Sequence, residues 1–187
     1  PMATVGVDGA DYLARLKSLD ISAEFVREVP GMMTAQALIM TDTGNNQITA
    51  FHPGAMTQAH INTVTARDDI RLGIISPDGR EAMQQHARQF KAAGIPFVFD
   101  PGQMLPAFDG AELLQFIELA DWVAVNDYEA HMLCERTGLA LPDLSRRVRA
   151  LAVTLGGEGC DIWEGGQSQR VAPTAASQIA DPTGCGD

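Results

Sequence analysis

The segment ADPTGCGD, residues 180–187, places two glycines around one small residue and a carboxylate directly after them. Gly184 and Gly186 can adopt positive φ and approach a ligand closely because they carry no Cβ, and Cys185 supplies a third backbone amide between them. Amides that converge at the start of a helix bind anions, and loss of one such donor typically slows a reaction roughly 100- to 1,000-fold. The segment therefore predicts a site for an anion whose charge grows in a transition state.

Asp187 directly follows these amides, where its carboxylate could accept a proton from a hydroxyl group that approaches the same anion. General-base help of this kind is worth roughly 100- to 10,000-fold in rate. An anion site with a base beside it is what phosphoryl transfer to an alcohol requires. An ordinary structural explanation stays open, because a carboxylate at the start of a helix is also favoured by the helix dipole.

Three further polar or glycine-rich segments each follow a short apolar stretch: DPGQ at 100–103, NDYE at 126–129 and TLGGEG at 154–159. They offer oxygen ligands for a hard metal ion and a loop that a phosphate can approach closely. Each segment also has an ordinary explanation. DPGQ is typical of a turn, Asn126 with Glu129 is typical of a helix capping box, and GGEG is typical of a hairpin connection.

Short apolar strands alternate with helices from Ile70 onward: IRLGIIS, IPFVFD, DWVAVN and LAVTLG are separated by amphipathic stretches. For the first of these helices we expect Ser76 as the cap, Pro77 in the first turn and Gly94 at the end. This alternation predicts an α/β fold with a parallel sheet and helices on its faces. Ligands bind beyond the carboxyl ends of such strands, so all four polar segments are expected at one edge of the sheet.

Before Ile70 the pattern predicts a short helix, GADYLARLKSLDI, with Asp8 as its N-cap, followed by strands. TAQALIMTD and ITAFHPG flank TGNNQ and predict a β-hairpin. Phe51 on this hairpin could pack against a base or sugar, and His52 could hydrogen-bond to it. An aromatic residue on a half-buried strand is also common in a core or an interface. Because an edge hairpin can pair with another chain, a homodimer is one arrangement to test.

Composition favours a globular domain that acts on a small molecule. The formal charge is −11 and only 13 basic residues are scattered along 187 residues, which argues against a nucleic-acid partner. No apolar run reaches the roughly 18 to 20 residues of a membrane span, and the first residues do not resemble a signal peptide. Cys134, Cys160 and Cys185 stand far apart, which predicts free thiols and a cytoplasmic location.

Taken together and in their order along the chain, these motifs resemble those of the PfkB carbohydrate kinases, the ribokinase-like family. ADPTGCGD is similar to the family pattern Asp-Thr-x-Gly-Ala-Gly-Asp, NDYE to Asn-x-x-Glu, and TLGGEG to Thr-x-Gly-x-x-Gly. The resemblance covers essentially the whole chain and implies a ribokinase-like three-layer α/β/α fold with a mostly parallel central sheet and a small β lid. It implies one domain over residues 1–187 that is incomplete at both ends, with lid segments at about 22–56 and the parallel core at about 70–187.

The resemblance also implies ATP and Mg²⁺ as cofactors and assigns the residues. Asp187 would be the base, and the amides of Gly184, Cys185 and Gly186 would form the anion hole. Asn126 and Glu129 would organise Mg²⁺, its waters and the ATP phosphates, while Thr154, Gly156 and Gly159 would line the nucleotide site. Asp181 and Thr183 would hold a monovalent cation such as K⁺. Pro182 and Cys185 depart from the family pattern, and Pro182, which lacks the usual hydroxyl and N–H, weakens the cation assignment most.

The sequence defines the molecule that accepts the phosphoryl group less narrowly. DPGQ and NQITAFHPGAM look most like the adenosine-kinase-like branch, so a nucleoside is the first choice, and a free sugar such as ribose or fructose is the second. A nucleoside- or sugar-binding module without catalysis is a further alternative, although such a module has no use for Asp187. A dinucleotide-dependent oxidoreductase is disfavoured because no GxGxxG opens the first strand–helix turn. As an internal portion of a kinase, this chain alone is expected to be inactive.

Overall fold

The computed structural model of the protein describes residues 1–43 and 47–175. These residues form two compact units, one containing residues 1–63 and 78–85, the other containing the remainder. In chain order the strands and α-helices are β1 (Met2–Val5), α1 (Ala10–Ser18), β2 (Phe25–Glu28), β3 (Gln36–Thr41), β4 (Gln47–His52), β5 (Gly73–Ile75), α2 (Arg80–Ala93), β6 (Phe97–Phe99), α3 (Gly110–Leu119), β7 (Trp122–Asn126), α4 (Asp127–Thr137), α5 (Leu141–Ser145), β8 (Ala150–Thr154), β9 (Cys160–Glu164) and β10 (Gln167–Val171). Short 3-10 helices cover Gly54–Ile61, Gly102–Ala107 and Gly156–Glu158.

The first unit begins with a βαβ arrangement. Strands β1 and β2 are parallel, with Met2 opposite Phe25, and α1 connects them and buries Leu16. Helix α1 was predicted, but β1 was not, because four residues at the start of the chain carry too little alternation to indicate a strand.

The prediction that Asp8 caps α1 is wrong. The helix begins after Gly9, which makes no side-chain capping bond. The Asp8 carboxylate is directed elsewhere, because its Oδ1 accepts hydrogen bonds from the backbone N–H of Thr34 at 2.8 Å and from the Thr34 hydroxyl at 2.7 Å. A partner 26 positions along the chain thus replaces the local one that the capping pattern favours.

Strands β3 and β4 form the predicted antiparallel hairpin, with Gln36 opposite His52 and Thr41 opposite Gln47. Every residue of both strands is exposed. Alternate residues of a strand lie on opposite faces, so Leu38, Met40 and Ile48 share one face of the hairpin while Ile39, Thr49 and Phe51 share the other. The hairpin therefore carries apolar side chains on both faces.

The second unit contains a mixed sheet in the order β10-β9-β8-β7-β6-β5. Strands β5 to β8 are parallel, as predicted, and β9 and β10 extend the sheet antiparallel. Helix α2 begins at Arg80, so the prediction that Pro77 lies in its first turn is wrong; Asp78 accepts a hydrogen bond from the Gly79 N–H immediately before the helix. Gly94, with φ of 68°, ends α2 as predicted.

An aromatic cluster forms the centre of this unit. The rings of Phe99 on β6 and Phe116 on α3 stack with centroids 4.5 Å apart, and Phe108 meets Phe116 edge-on at 5.0 Å. All three residues are buried, as are Leu113, Val123 and Leu151 around them. Burial of these side chains against the sheet holds α3 in place. Within the part of the chain that the structure describes, no helix is both long enough and apolar enough to cross a bilayer.

We expect Phe99→Ala to lower the free energy of unfolding of the full-length protein by about 3 to 5 kcal/mol, because it leaves a cavity and removes a stacked ring. Tyr128→Ala is the matched control, since it removes a ring that is 67% exposed and should cost less than about 1 kcal/mol. Denaturant titration would measure both. Equal losses in the two variants would contradict the assignment of Phe99 to the core.

Candidate active site

Three of the four chemically interesting segments lie at one edge of the sheet. Strand β7 ends at Asn126, β8 ends at Thr154, and the parallel ladder places these two residues opposite each other. Asp100 directly follows β6, which pairs with β7. The carboxyl ends of the parallel strands therefore bring the segments together as predicted, at the edge where α/β sheets bind their ligands.

Asn126 is both the last residue of β7 and the N-cap of α4, so the chain passes from strand to helix without a loop. Its Oδ1 accepts a hydrogen bond from the Glu129 N–H at 2.8 Å, and Glu129 Oε2 accepts one from the Asn126 N–H at 2.9 Å. The ordinary explanation of this pair, a capping box, is thus confirmed. The two bonds leave Glu129 Oε1 free of the box; Asn126 is exposed and Glu129 is half-buried.

The donor set at this edge fits a magnesium ion that keeps its waters. Amide and carboxylate oxygens suit a hard cation, and Mg²⁺ commonly uses one or two protein groups together with water and substrate phosphates. Within residues 1–43 and 47–175, no cluster of three or more His, Cys, Asp or Glu side chains could hold a metal ion. Asn126 supplies an amide oxygen and Glu129 a carboxylate oxygen of this kind.

The segment from Thr154 to Gly159 is a tight loop between β8 and the antiparallel strand β9, so its ordinary explanation as a hairpin connection is also confirmed. Leu155 N–H donates to the Gly159 carbonyl at 2.8 Å, and Gly156 and Gly159 have φ of 53° and 96°. A Cβ on Gly159 would lie 2.1 Å from the Val171 carbonyl oxygen, whereas a Cβ on Gly156 would meet nothing within 4 Å. Gly159 therefore closes the loop against β10, and Gly156 leaves open space beside the backbone.

Among the ion pairs described, Arg170 on β10 is the basic residue that pairs with a side chain of this loop, Glu158. Its guanidinium donates two hydrogen bonds to the Asp161 carboxylate, and Glu158 Oε2 lies 4.0 Å from it. These bonds hold the pKa of Asp161 below its usual value. Arg170 is therefore already paired with two carboxylates. Sequence reasoning missed Arg170, since β10 was not predicted.

Phe51 and His52, the predicted substrate contacts, are adjacent on β4 in the first unit. Phe51 is opposite Ala37 and His52 is opposite Gln36. Successive residues of a strand point to opposite faces, so the hairpin does not bring these two side chains together. The predicted residues Asp181, Thr183, Gly184, Cys185, Gly186 and Asp187 lie outside the described residues, and their roles stay predictions.

Comparison with known proteins agrees with the motif resemblance. A nucleoside kinase from Burkholderia thailandensis, solved in complex with inosine, is 48% identical with a TM-score of 0.94 over 99% of this chain. The same kinase in complex with ADP-inosine gives a TM-score of 0.92. The nucleoside kinase of Methanocaldococcus jannaschii, an archaeal member of the ribokinase family, is 29% identical with a TM-score of 0.89 over 99% of this chain.

This chain spans only part of these relatives, covering 61% of the first, 58% of the second and 62% of the third. The similarity nevertheless runs through both units and confirms the predicted ribokinase-like α/β fold. Residues 2–187 match the model of the pfkB family carbohydrate kinases. The chain therefore belongs to the PfkB family of carbohydrate kinases.

Proposed function

We propose that the full-length protein uses ATP to phosphorylate a hydroxyl group of a nucleoside. The observation that carries the proposal is the placement of Asn126 opposite Thr154 at the ligand-binding edge of the sheet, in a chain 48% identical to a nucleoside kinase solved with inosine. The complex of that kinase with ADP-inosine supports ATP as the phosphoryl donor.

In this proposal the nucleoside hydroxyl oxygen attacks the γ-phosphorus of ATP. A new O–P bond forms, the bond between the γ-phosphorus and the bridging oxygen breaks, and ADP leaves. Asp187 takes the proton of the hydroxyl group, and the amides of Gly184, Cys185 and Gly186 bind the charge on the transferring group. The loop with Thr154, Gly156 and Gly159 lines the nucleotide site.

Asn126 and Glu129 are proposed to orient waters around the ATP phosphates while they also cap α4. Bound Mg²⁺ would neutralise charge on the phosphate oxygens. The capping box fixes both side chains at the strand end, because each accepts a backbone hydrogen bond from the other residue. Glu129 Oε1 is the oxygen atom left to accept a hydrogen bond from a metal-bound water.

The preferred nucleoside substrate is also proposed. Adenosine-like substrates follow from the motif resemblance, and the Burkholderia thailandensis kinase extends the candidates to inosine. Phe51 is proposed to stack on the base, on the face of the hairpin opposite to His52. His52 would then bond only to a group on that other face. The hairpin is proposed as the lid, and the chain as one part of a single ribokinase-like domain.

Two narrower expectations belong to the same proposal. A K⁺ requirement at Asp181 and Thr183 would appear as higher activity in K⁺ than in Na⁺ salts. A cytoplasmic location is supported by Cys134 and Cys160, which are free thiols, since reduced cysteines are typical of that compartment.

Asp187→Asn should lower kcat of the full-length protein roughly 100- to 10,000-fold, because the asparagine amide cannot accept the hydroxyl proton. ATP consumption with adenosine, inosine, ribose and fructose would measure the effect and rank the acceptors. An unchanged melting temperature would show that the variant is folded. Equal turnover by the two proteins would contradict the base assignment, a response to ribose or fructose alone would favour a sugar kinase, and nucleoside binding without turnover would indicate a silent module.

Glu129→Gln tests whether this residue does more than cap a helix. Helix α3 carries a second capping box of the same geometry, in which Asp109 and Glu112 exchange hydrogen bonds of 2.9 and 3.0 Å, so Glu112→Gln is the matched control. Glutamine retains the acceptor oxygen, and both variants should lose less than about 1 kcal/mol of stability. Only Glu129→Gln should raise the Mg²⁺ concentration needed for half-maximal activity, by about tenfold or more. Identical Mg²⁺ titrations of both variants would reduce Glu129 to a capping residue.

A homodimer through the hairpin is also proposed. Leu38, Met40 and Ile48 share one face and are 69%, 65% and 69% exposed, which forms an apolar row that a second copy could cover. Ile48→Lys should convert the dimer to a monomer in light scattering, because the lysine would be buried without a partner. Thr49→Lys places the same charge on the opposite face and should leave the dimer intact. A wild-type protein that is monomeric at micromolar concentration would contradict this proposal.

A further inference from the structure

The segment that leads into the hairpin is held by a short chain of hydrogen bonds. Thr34 lies two positions before β3, and its hydroxyl accepts a hydrogen bond from the Gly6 N–H at 2.9 Å. The same hydroxyl donates to Asp8 Oδ1 at 2.7 Å, and the Thr34 N–H donates to that oxygen at 2.8 Å. One carboxylate oxygen thus fixes both the backbone and the side chain of Thr34.

The segment that leaves the hairpin is tied to the same place. Ala55 N–H donates to the Met33 carbonyl at 2.8 Å, and the buried hydroxyl of Thr4 donates to the Ala55 carbonyl at 2.7 Å. Gly54 has φ of 46°, and a Cβ there would lie 2.2 Å from the Met33 carbonyl oxygen. The two segments are therefore in backbone contact with each other and are bonded to the end of β1 and the turn after it.

Burial contributes little to holding β3 and β4, because all their residues are exposed. The orientation of such a hairpin depends on its base, where each stem is fixed by hydrogen bonds. A hydrogen bond to an ionised group is roughly twice as strong as a neutral one. Among the bonds at this base, those of Thr34 to Asp8 have a carboxylate as the acceptor.

We propose that Asp8 is a positioning residue that fixes Thr34 and thereby sets the orientation of the β3–β4 hairpin over the nucleoside. The inference rests on the proposed function, because hairpin orientation affects catalysis only if the hairpin covers the substrate. Asp8 is free for this role since it does not cap α1. The bonds from Thr34 keep the pKa of Asp8 below its usual value, so the carboxylate is charged at neutral pH and holds its acceptor role there.

The test compares Asp8→Ala and Thr34→Val with the wild type, all as full-length protein. Each variant should raise the KM for the nucleoside about tenfold and leave kcat and the KM for ATP within about twofold, because the loosened hairpin closes over the nucleoside less often. The double variant should be no worse than the more affected single variant, since the two residues act as one unit. Thr34→Ser retains the hydroxyl and should restore the nucleoside KM to within about threefold of wild type.

A control and a second measurement separate positioning from general stability. Asp68→Ala removes an exposed carboxylate elsewhere and should leave both KM values unchanged. Hydrogen exchange should become faster for Asp8→Ala in the peptide that spans Thr34 and β3, and should stay unchanged in the peptide from α3. A lower melting temperature with a wild-type nucleoside KM in both Asp8→Ala and Thr34→Val would overturn the inference.

If the proposed function is wrong, a different set of results is expected. In that case the wild-type protein itself would phosphorylate no nucleoside, and hydrogen exchange would decide the remaining claim about the hairpin. Faster exchange confined to the hairpin would support Asp8 as the residue that fixes its base. Unchanged exchange in both Asp8→Ala and Thr34→Val would refute that role, whether or not the protein is a kinase.

Discussion

The parallel pairing of β7 with β8 is the constraint on which the candidate site depends. It places the last residues of the two strands, Asn126 and Thr154, opposite each other, so that a helix start and a glycine loop share one edge. Because β7 continues into α4 without a loop, the position of Asn126 is set by the strand ladder and by the first turn of the helix together. Such a residue has little freedom to move, which suits the phosphate-orienting role proposed for it.

In the proposed mechanism, the capping box at this edge would serve a structural and a catalytic role with the same side chains. The box at Asp109 and Glu112 has nearly the same hydrogen-bond lengths as the box at Asn126 and Glu129. Geometry within the box therefore does not distinguish a functional pair from a structural one. The two boxes differ in position, since Asp109 follows a 3-10 helix whereas Asn126 ends a strand of the sheet, and the functional role proposed for Asn126 and Glu129 depends on that position.

Features that depend on local pattern could be predicted from the sequence. The alternation of strands and helices after Ile70 indicated the parallel sheet, and from that order the shared edge follows. Asp8 could not be placed in this way, because its partner Thr34 is far along the chain and a capping rule considers only neighbours. Strand β10 escaped prediction since QSQRV has one apolar residue, Val171, and every residue is exposed. Phe51 and His52 are adjacent in the sequence, which suggested contacts with the same substrate, but the side chains of adjacent strand residues point to opposite faces.

The alternation of faces along the hairpin has a consequence for how such proteins diverge. Leu38 and Met40 lie on one face and Ala37 and Ile39 on the other, so neighbouring codons specify different surfaces. A substitution at one position leaves the opposite surface chemically unchanged, and the two surfaces can drift independently in a gene family. A single-residue insertion within either strand would instead exchange the two surfaces at once, which makes length in this segment far less tolerant of change than composition.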